Sequence, residues 1–221
     1  MRQNVSLAEI SDGHLYKAND MVKADCGGCE GCSQCCRGMG TSIILDPYDV
    51  YRLTTGLGKS MQELLATSVE LNVVDGVILP NLKMQGTGEA CAYLNAERRC
   101  SIHPYRPGIC RLFPLGRHYE NGGLFYFLQT GECAKENRSK VKVSKWIDTP
   151  ELKRNEQFKL QWHDLLSAMT DRVAREDEGK QREENLLLLR LFYLLPYEGT
   201  IDFYTQFTER MEHWNEQNGQ F

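Results

Sequence analysis

Cys26-Gly-Gly-Cys29-Glu-Gly-Cys32-Ser-Gln-Cys35-Cys36 places five thiols in eleven residues, with three glycines between them. A hydrophobic core has no use for such a density of cysteine. Further cysteines follow at positions 91, 100, 110 and 133, so that nine occur in a chain of 221 residues. In a reducing cytoplasm structural disulfides are rare, and an odd count leaves one thiol over in any case. Clustered cytosolic thiols point instead to metal or redox chemistry. Thiolates are soft ligands, and tetrahedral all-sulfur sites belong to zinc or to iron–sulfur centres.

The spacing narrows this further. Zinc sites commonly pair one C-x2-C knuckle with a second, distant one. Here the knuckles overlap, with Cys26, Cys29, Cys32 and Cys35 recurring every third residue. Cys26, Cys29, Cys32 and Cys36 also reproduce the C-x2-C-x2-C-x3-C spacing of bacterial ferredoxins, with Arg37 where their proline stands. Glycines such as Gly27, Gly28 and Gly31 let backbone N–H groups approach cluster sulfides in loops of this kind. The adjacent pair Cys35-Cys36 adds a constraint, because neighbouring side chains diverge and rarely serve one tetrahedral centre. Eight thiols would make two four-sulfur sites or one larger polynuclear site, with the ninth in reserve. Arg37, Arg99, Arg106, Arg111 and Arg117 are available to offset thiolate charge, the plain alternative being solvated surface arginines.

Outside the cysteines the chain is an ordinary globular mixture, 41% hydrophobic and 25% charged. A net charge of −4 gives no electrostatic basis for holding a nucleic-acid backbone. The start has no apolar run of the secretory type, and the longest greasy stretch, Leu186 to Leu195, is interrupted by Arg190 and falls short of the ~20 residues that span a bilayer. The expectation is a cytoplasmic protein without membrane or nucleic-acid partners. Residues 1–25 read as a lead-in, with Leu15, Tyr16, Met21 and Val22 as its contacts to the body. Asp46-Pro47 marks a helix start carrying Val50, Leu53 and Leu57, with Gly56 or Gly58 as the stop. Asp46 and Asp49 also form a carboxylate pair, which capping and exposed-face roles explain without catalysis. Ser60-Met-Gln-Glu63 is a capping box for a second helix running to about Leu71. Asp75-Gly76 reads as a tight hairpin. Brief strands at 92–94 and 101–102 would set Cys91 and Cys100 at opposed ends of another. A helical turn over Ile109 to Phe113 and a hairpin around Asn121-Gly122-Gly123 then deliver Cys133. Residues 134–148 read as a linker. Beyond it, helices follow the 3.6-residue period: one capped by Thr149-Pro150 with Phe158, Trp162, Leu165, Leu166, Met169 and Val173, one over 180–195, and one capped by Thr200 with Phe203, Phe207, Met211 and Trp214. These helices either cover the cysteine domain or leave an apolar face, that with Phe203, Phe207 and Trp214, for a protein partner. His14, His118, His163 and His213 are isolated.

Cys29-x2-Cys32-x2-Cys35-Cys36, Cys91-Ala-Tyr-Leu, Cys100-Ser-Ile-His-Pro-Tyr-Arg106-Pro107-Gly-Ile-Cys110-Arg111-Leu-Phe113-Pro114 and Cys133 together resemble the YkgJ-type cysteine-cluster family, the zinc- or iron-chelating CxxCxxCC domain. The resemblance implies eight ligating cysteines, which map onto Cys29, Cys32, Cys35, Cys36, Cys91, Cys100, Cys110 and Cys133, with Cys26 an additional candidate. A related member, flagellin lysine N-methylase, carries a similar cluster. His103, Arg106 and Arg111 are candidates to support the ligands from behind. The expected fold is α+β: a loop-rich, Cys-ligated domain over 26–140 with short hairpins and two short helices, followed by a helical region of about three helices over 149–221. The function read from these residues is metal binding with a [4Fe-4S]-type iron–sulfur cofactor in redox, electron transfer or an accessory step. A zinc-binding scaffold and a protein-lysine methylase-like enzyme are the alternatives, and whether the chain is an enzyme stays open.

Overall fold

Side chains fix most of the element boundaries in the computed structural model, which describes residues 6–27, 32–135 and 137–218. Cys29 and the glycines at 28 and 31 lie outside the described residues. A short helix α1 (Leu7–Ile10) precedes β1 (Met21–Asp25), and a 3-10 turn covers Gln34–Cys36. Helix α2 (Pro47–Leu57) opens on a reciprocal capping box: Asp46 accepts from the Asp49 backbone N–H at 3.0 Å, and Asp49 accepts from that of Asp46 at 3.2 Å. It stops at Gly58, whose φ of 62° is the left-handed conformation that glycine adopts freely. Gly56 is needed for another reason, since a Cβ there would fall 2.3 Å from the Tyr105 ring. Helix α3 (Met61–Thr67) begins with the Ser60–Glu63 box and ends sooner than the sequence suggests. Val69 already starts β2 (Val69–Val74), which pairs antiparallel with β3 (Val77–Leu82) around Asp75-Gly76, both at positive φ.

The expected strands at 92–94 and 101–102 shrink to one bridge between Leu94 and Cys100. Their turn is instead closed locally, with the Asn95 side chain accepting from Arg99 N at 2.7 Å. Cys91 belongs to a different pair, β4 (Met84–Gln85) with β5 (Ala90–Cys91), and stands opposite Met84. A 3-10 turn at His103–Tyr105 and helix α4 (Gly108–Leu112) follow, then the hairpin β6 (Leu115–Glu120) and β7 (Gly123–Leu128).

Residues 134–148 are not a linker. Strand β8 (Ser139–Lys142) pairs antiparallel with β1, and helix α5 (Val143–Ile147) buries Val143 and Ile147. The polar composition misled because a two-stranded edge needs few apolar residues: Val22 and Ala24 on β1 supply the buried face. Of the expected N-terminal contacts, Val22 and Tyr16 are made, Tyr16 exchanging backbone hydrogen bonds with Tyr126, whereas Leu15 and Met21 are exposed.

Helix α6 (Leu152–Val173) starts after Glu151 rather than at Thr149-Pro150. Helix α7 (Glu178–Leu189) is capped by Asp177 and runs into a π-helical turn over Arg190–Leu194. Helix α8 (Phe203–Asn218) starts where Asp202 accepts from Thr205 N at 3.0 Å, two residues beyond the Thr200 predicted to cap it. The main core joins Val50 and Leu53 of α2, Leu64 of α3, and Val77 and Leu79 of β3 to Phe158, Trp162, Leu165, Phe192, Phe203, Phe207 and Trp214. Phe203, Phe207 and Trp214 are therefore interior side chains. A second, smaller core holds Val22, Leu112, Leu115, Tyr126, Val143 and Ile147. The result is an α+β fold of short antiparallel hairpins with a helical C-terminal part, as the sequence implies.

Candidate metal centre

Four different local structures bring cysteines to one side of the main core. The 3-10 turn presents Cys35 and Cys36, strand β5 presents Cys91, the Leu94–Cys100 bridge presents Cys100, and α4 presents Cys110. All five are half-buried, and Cys91, Cys100 and Cys110 pack directly against the core cluster. Cys32 and Cys133 are half-buried too, on the loops before the 3-10 turn and after β7.

The five thiols feel one another. The Cys35 thiol donates to the Cys36 sulfur, which pushes Cys35 well up, reinforced by burial, and pulls Cys36 down. Burial raises Cys91, Cys100 and Cys110, and the neighbouring thiols add to the rise. Among the described residues no three Cys, His, Asp or Glu side chains stand together as a ready ligand set. The thiols share a neighbourhood rather than a coordination sphere. Their chemistry nevertheless fits a cation: burial and mutual repulsion that hold thiols protonated are what a bound metal reverses, since each ligating thiol must lose its proton.

The flanking arginines divide. Arg106 acts on the thiols, its positive charge lowering Cys35 and Cys100, and its buried Nε has no hydrogen-bond partner among the described residues. That is a donor suited to anionic sulfur. Arg111 is turned to structural use, donating to Asp148 O at 3.1 Å and Pro104 O at 2.5 Å. Arg52 donates to the same Pro104 carbonyl, so the loop before α4 is gripped from two sides. His103 is exposed; burial of part of its ring and the charges of Arg106, Arg111 and Arg99 lower its basicity. Its backbone N–H donates to Cys100 O at 3.3 Å.

Beneath Cys110 lies a buried charge cluster of which the sequence showed only the Asp46–Asp49 pair: the capping role holds, but Asp49 is buried rather than on an exposed face. Asp49 Oδ1 accepts from Gly108 N, the first residue of α4, at 2.7 Å. Asp46 is ion-paired with Lys159 of α6. A Cβ on Gly108 would lie 3.0 Å from Arg117 Nη2, 3.4 Å from Lys159 Nζ and 3.5 Å from Asp49 Oδ1, so glycine is what lets these charges close around the α4 start. Burial raises Asp49 to about 6 and lowers Lys159 to about 7. A signal existed: Lys159 sits beside Phe158 and three residues before Trp162, inside the apolar stripe of its helix.

A loop-rich α+β scaffold that gathers thiols from a C-x2-C series, a short strand, a bridge and a short helix defines a metal-chelating cysteine-cluster domain. The family model CxxCxxCC, described as "Putative zinc- or iron-chelating domain", matches residues 28–138, and the chain belongs to that family. No curated protein and no solved structure matches the chain. Among the described residues no helix is long and apolar enough to cross a membrane.

Proposed function

We propose that the chain is an iron–sulfur protein of the [4Fe-4S] type, serving redox, electron transfer or an accessory step. One observation carries this reading: the C-x2-C knuckles overlap from Cys26 to Cys36 in the spacing of bacterial ferredoxins, where zinc sites pair two separate knuckles. A tetrahedral zinc ion takes four ligands. A [4Fe-4S] cluster also takes four cysteines, so the neighbourhood of Cys35, Cys36, Cys91, Cys100 and Cys110 exceeds one centre of either kind before Cys26, Cys29, Cys32 and Cys133 are considered. Cys35 and Cys36, whose side chains meet on the 3-10 turn rather than diverging as the sequence suggests, would serve two metals of one centre.

A cluster of this type supplies one-electron transfer when bound. The chain's own residues provide its thiolates, with Cys91, Cys100 and Cys110 held against the apolar core, which limits water on that side. Arg106 offers a guanidinium to the resulting negative charge. The α4 start, held by Asp49, fixes where Cys110 stands.

The test is metal and acid-labile sulfide content of protein purified without air, with the visible absorbance of the thiolate-to-iron transition. Iron and sulfide in comparable amounts, bleaching on reduction, are expected. Colourless protein with stoichiometric zinc and no sulfide overturns the proposal. That outcome would favour a zinc scaffold, a reading supported by the packing of Cys91, Cys100 and Cys110 on the core, where a redox-inert ion would fasten loops to it.

A further inference from the structure

We propose that the outer edge of β2 is a dimer contact, at which a second copy of this chain adds its own β2 antiparallel about a two-fold axis through Asn72. Strand β3 is satisfied on its far side: Leu45 N donates to Pro80 O at 2.8 Å, Leu82 N to Ile43 O at 3.0 Å and Ile78 N to Asn185 Oδ1 at 2.6 Å. Ile78, Pro80 and Leu82 therefore turn their backbone groups away from β2. In an antiparallel ladder, residues that stand opposite one another point their backbone groups either toward each other or both outward. Opposite Ile78 and Pro80 stand Val73 and Leu71, whose N–H and C=O thus point out of the hairpin. Among the described residues no backbone group of another segment bonds to them.

Such an edge is ordinarily defended by lysine, proline or a bulge. Strand β2 has none of these: Val-Glu-Leu-Asn-Val-Val pairs with β3 in unbroken register. Its one charge, Glu70, is tied to the hairpin, where it accepts from Nδ2 of the buried Asn81 at 3.1 Å. The edge offers apolar side chains instead. Leu71 is 43% exposed and Val73 69%, and as residues two apart they stand on one face of the strand.

A second copy fits this edge because the edge is its own complement. Val69 is fully buried and Val74 leads into the turn, so the accessible length runs from Leu71 to Val73, with Asn72 at its centre. Antiparallel pairing centred there sets Leu71 of one copy opposite Val73 of the other, and Val73 of the first opposite Leu71 of the second. Since both residues point their backbone outward, each such pairing closes a reciprocal pair of N–H···O=C bonds. The exposed leucine and valine meet on the same face, while Glu70 lies across from Val74 rather than from a second carboxylate. A two-fold arrangement uses up both edges, so assembly stops at the dimer. A contact this short falls among interfaces below about 1,200 Å², which are weak and reversible.

Sedimentation of the metal-loaded protein over a concentration series, under reducing conditions, tests this whichever metal the protein carries. We expect a monomer–dimer equilibrium with a midpoint between about 10 μM and about 1 mM and no larger species. Amide exchange followed by mass spectrometry should slow in β2 as concentration rises. Leu71→Lys and Val73→Lys, both at exposed positions, should each weaken the dimer at least tenfold with metal content unchanged. Leu186→Lys, at a comparably exposed position on α7, should leave it intact. A monomer at every concentration, a dimer indifferent to both β2 variants, a dimer without added protection in β2, or open-ended oligomers would each overturn the proposal. The exchange measurement needs no variant, so it decides the matter where a lysine disturbs folding.

Discussion

Replacing Lys159 with methionine should destabilise the metal-loaded protein by about 3–5 kcal/mol, the range for removing one partner of a buried ion pair. The magnitude follows from burial, because the Lys159 side chain is 4% exposed and that of Asp46 13%. Once the ammonium is gone, the Asp46 carboxylate keeps only the Asp49 N–H at 3.0 Å and faces the second carboxylate of the same capping box. Methionine fills nearly the volume of the lysine stem, so a cavity contributes little and the loss reports charge. Neutralising the partner as well, in Asp46→Asn with Lys159→Met, should recover much of the loss and give a coupling of about 2 kcal/mol or more in the double-mutant cycle. Urea unfolding followed by the fluorescence of Trp162 and Trp214, both buried in the main core, provides the assay. Destabilisation below about 1 kcal/mol, or strict additivity of the two substitutions, would refute the reasoning.

Other expectations follow from named contacts. Asp49, raised by burial from 3.8 to about 6, binds its proton more tightly in the folded state than in the unfolded chain. The stability this provides is full below 3.8 and is lost as pH rises through about 6. Asp49→Asn should remove a difference on the order of 3 kcal/mol across that window, and wild-type and variant stability profiles that stay parallel would contradict it. Gly56→Ala drives a methyl into the Tyr105 ring, whose Cδ1, Cε1 and Cγ would all lie within 2.6 Å, and should lower stability by about 1–3 kcal/mol in the same assay. Arg210→Met withdraws the donor from Leu191 O, Leu195 O and Pro196 O at 2.7, 3.0 and 2.8 Å. It should cost at least about 2 kcal/mol and speed amide exchange in the π-helical turn, and unchanged exchange there would show the turn to be held otherwise.

The sequence announced its punctuation well. Asp46-Pro47, Ser60-x2-Glu63, Asp75-Gly76 and Asn121-Gly122 act locally, through caps and left-handed turns, so their consequences are visible without the rest of the chain. The apolar stripe of α6 was legible for the same reason, as was the membership of the cysteines in one family pattern. What escaped reading depends on distant partners. The pairing of β8 with β1 joins segments more than a hundred residues apart, and neither carries a strong strand pattern of its own. Cys91 was expected to face Cys100 across a hairpin and instead pairs with Met84, because spacing alone does not set register. Lys159 drew no reading in the sequence, because its counterion Asp46 lies far earlier in the chain.

The pairing of Asp25 with Ser139, reinforced by Ser139 Oγ donating to Asp25 Oδ2 at 3.3 Å, brackets the family segment at residues 28–138. The metal-binding stretch is thus a noose whose knot is tied by polypeptide. Gathering the two ends of a loop of that length is an entropic cost that grows only logarithmically with length, and here strand pairing, not ligation alone, meets it. A metal bound within such a noose takes its thiolates from a stretch whose two ends are already joined. Its release would slacken the loop without parting the ends, so loading and unloading become local events within a closed ring.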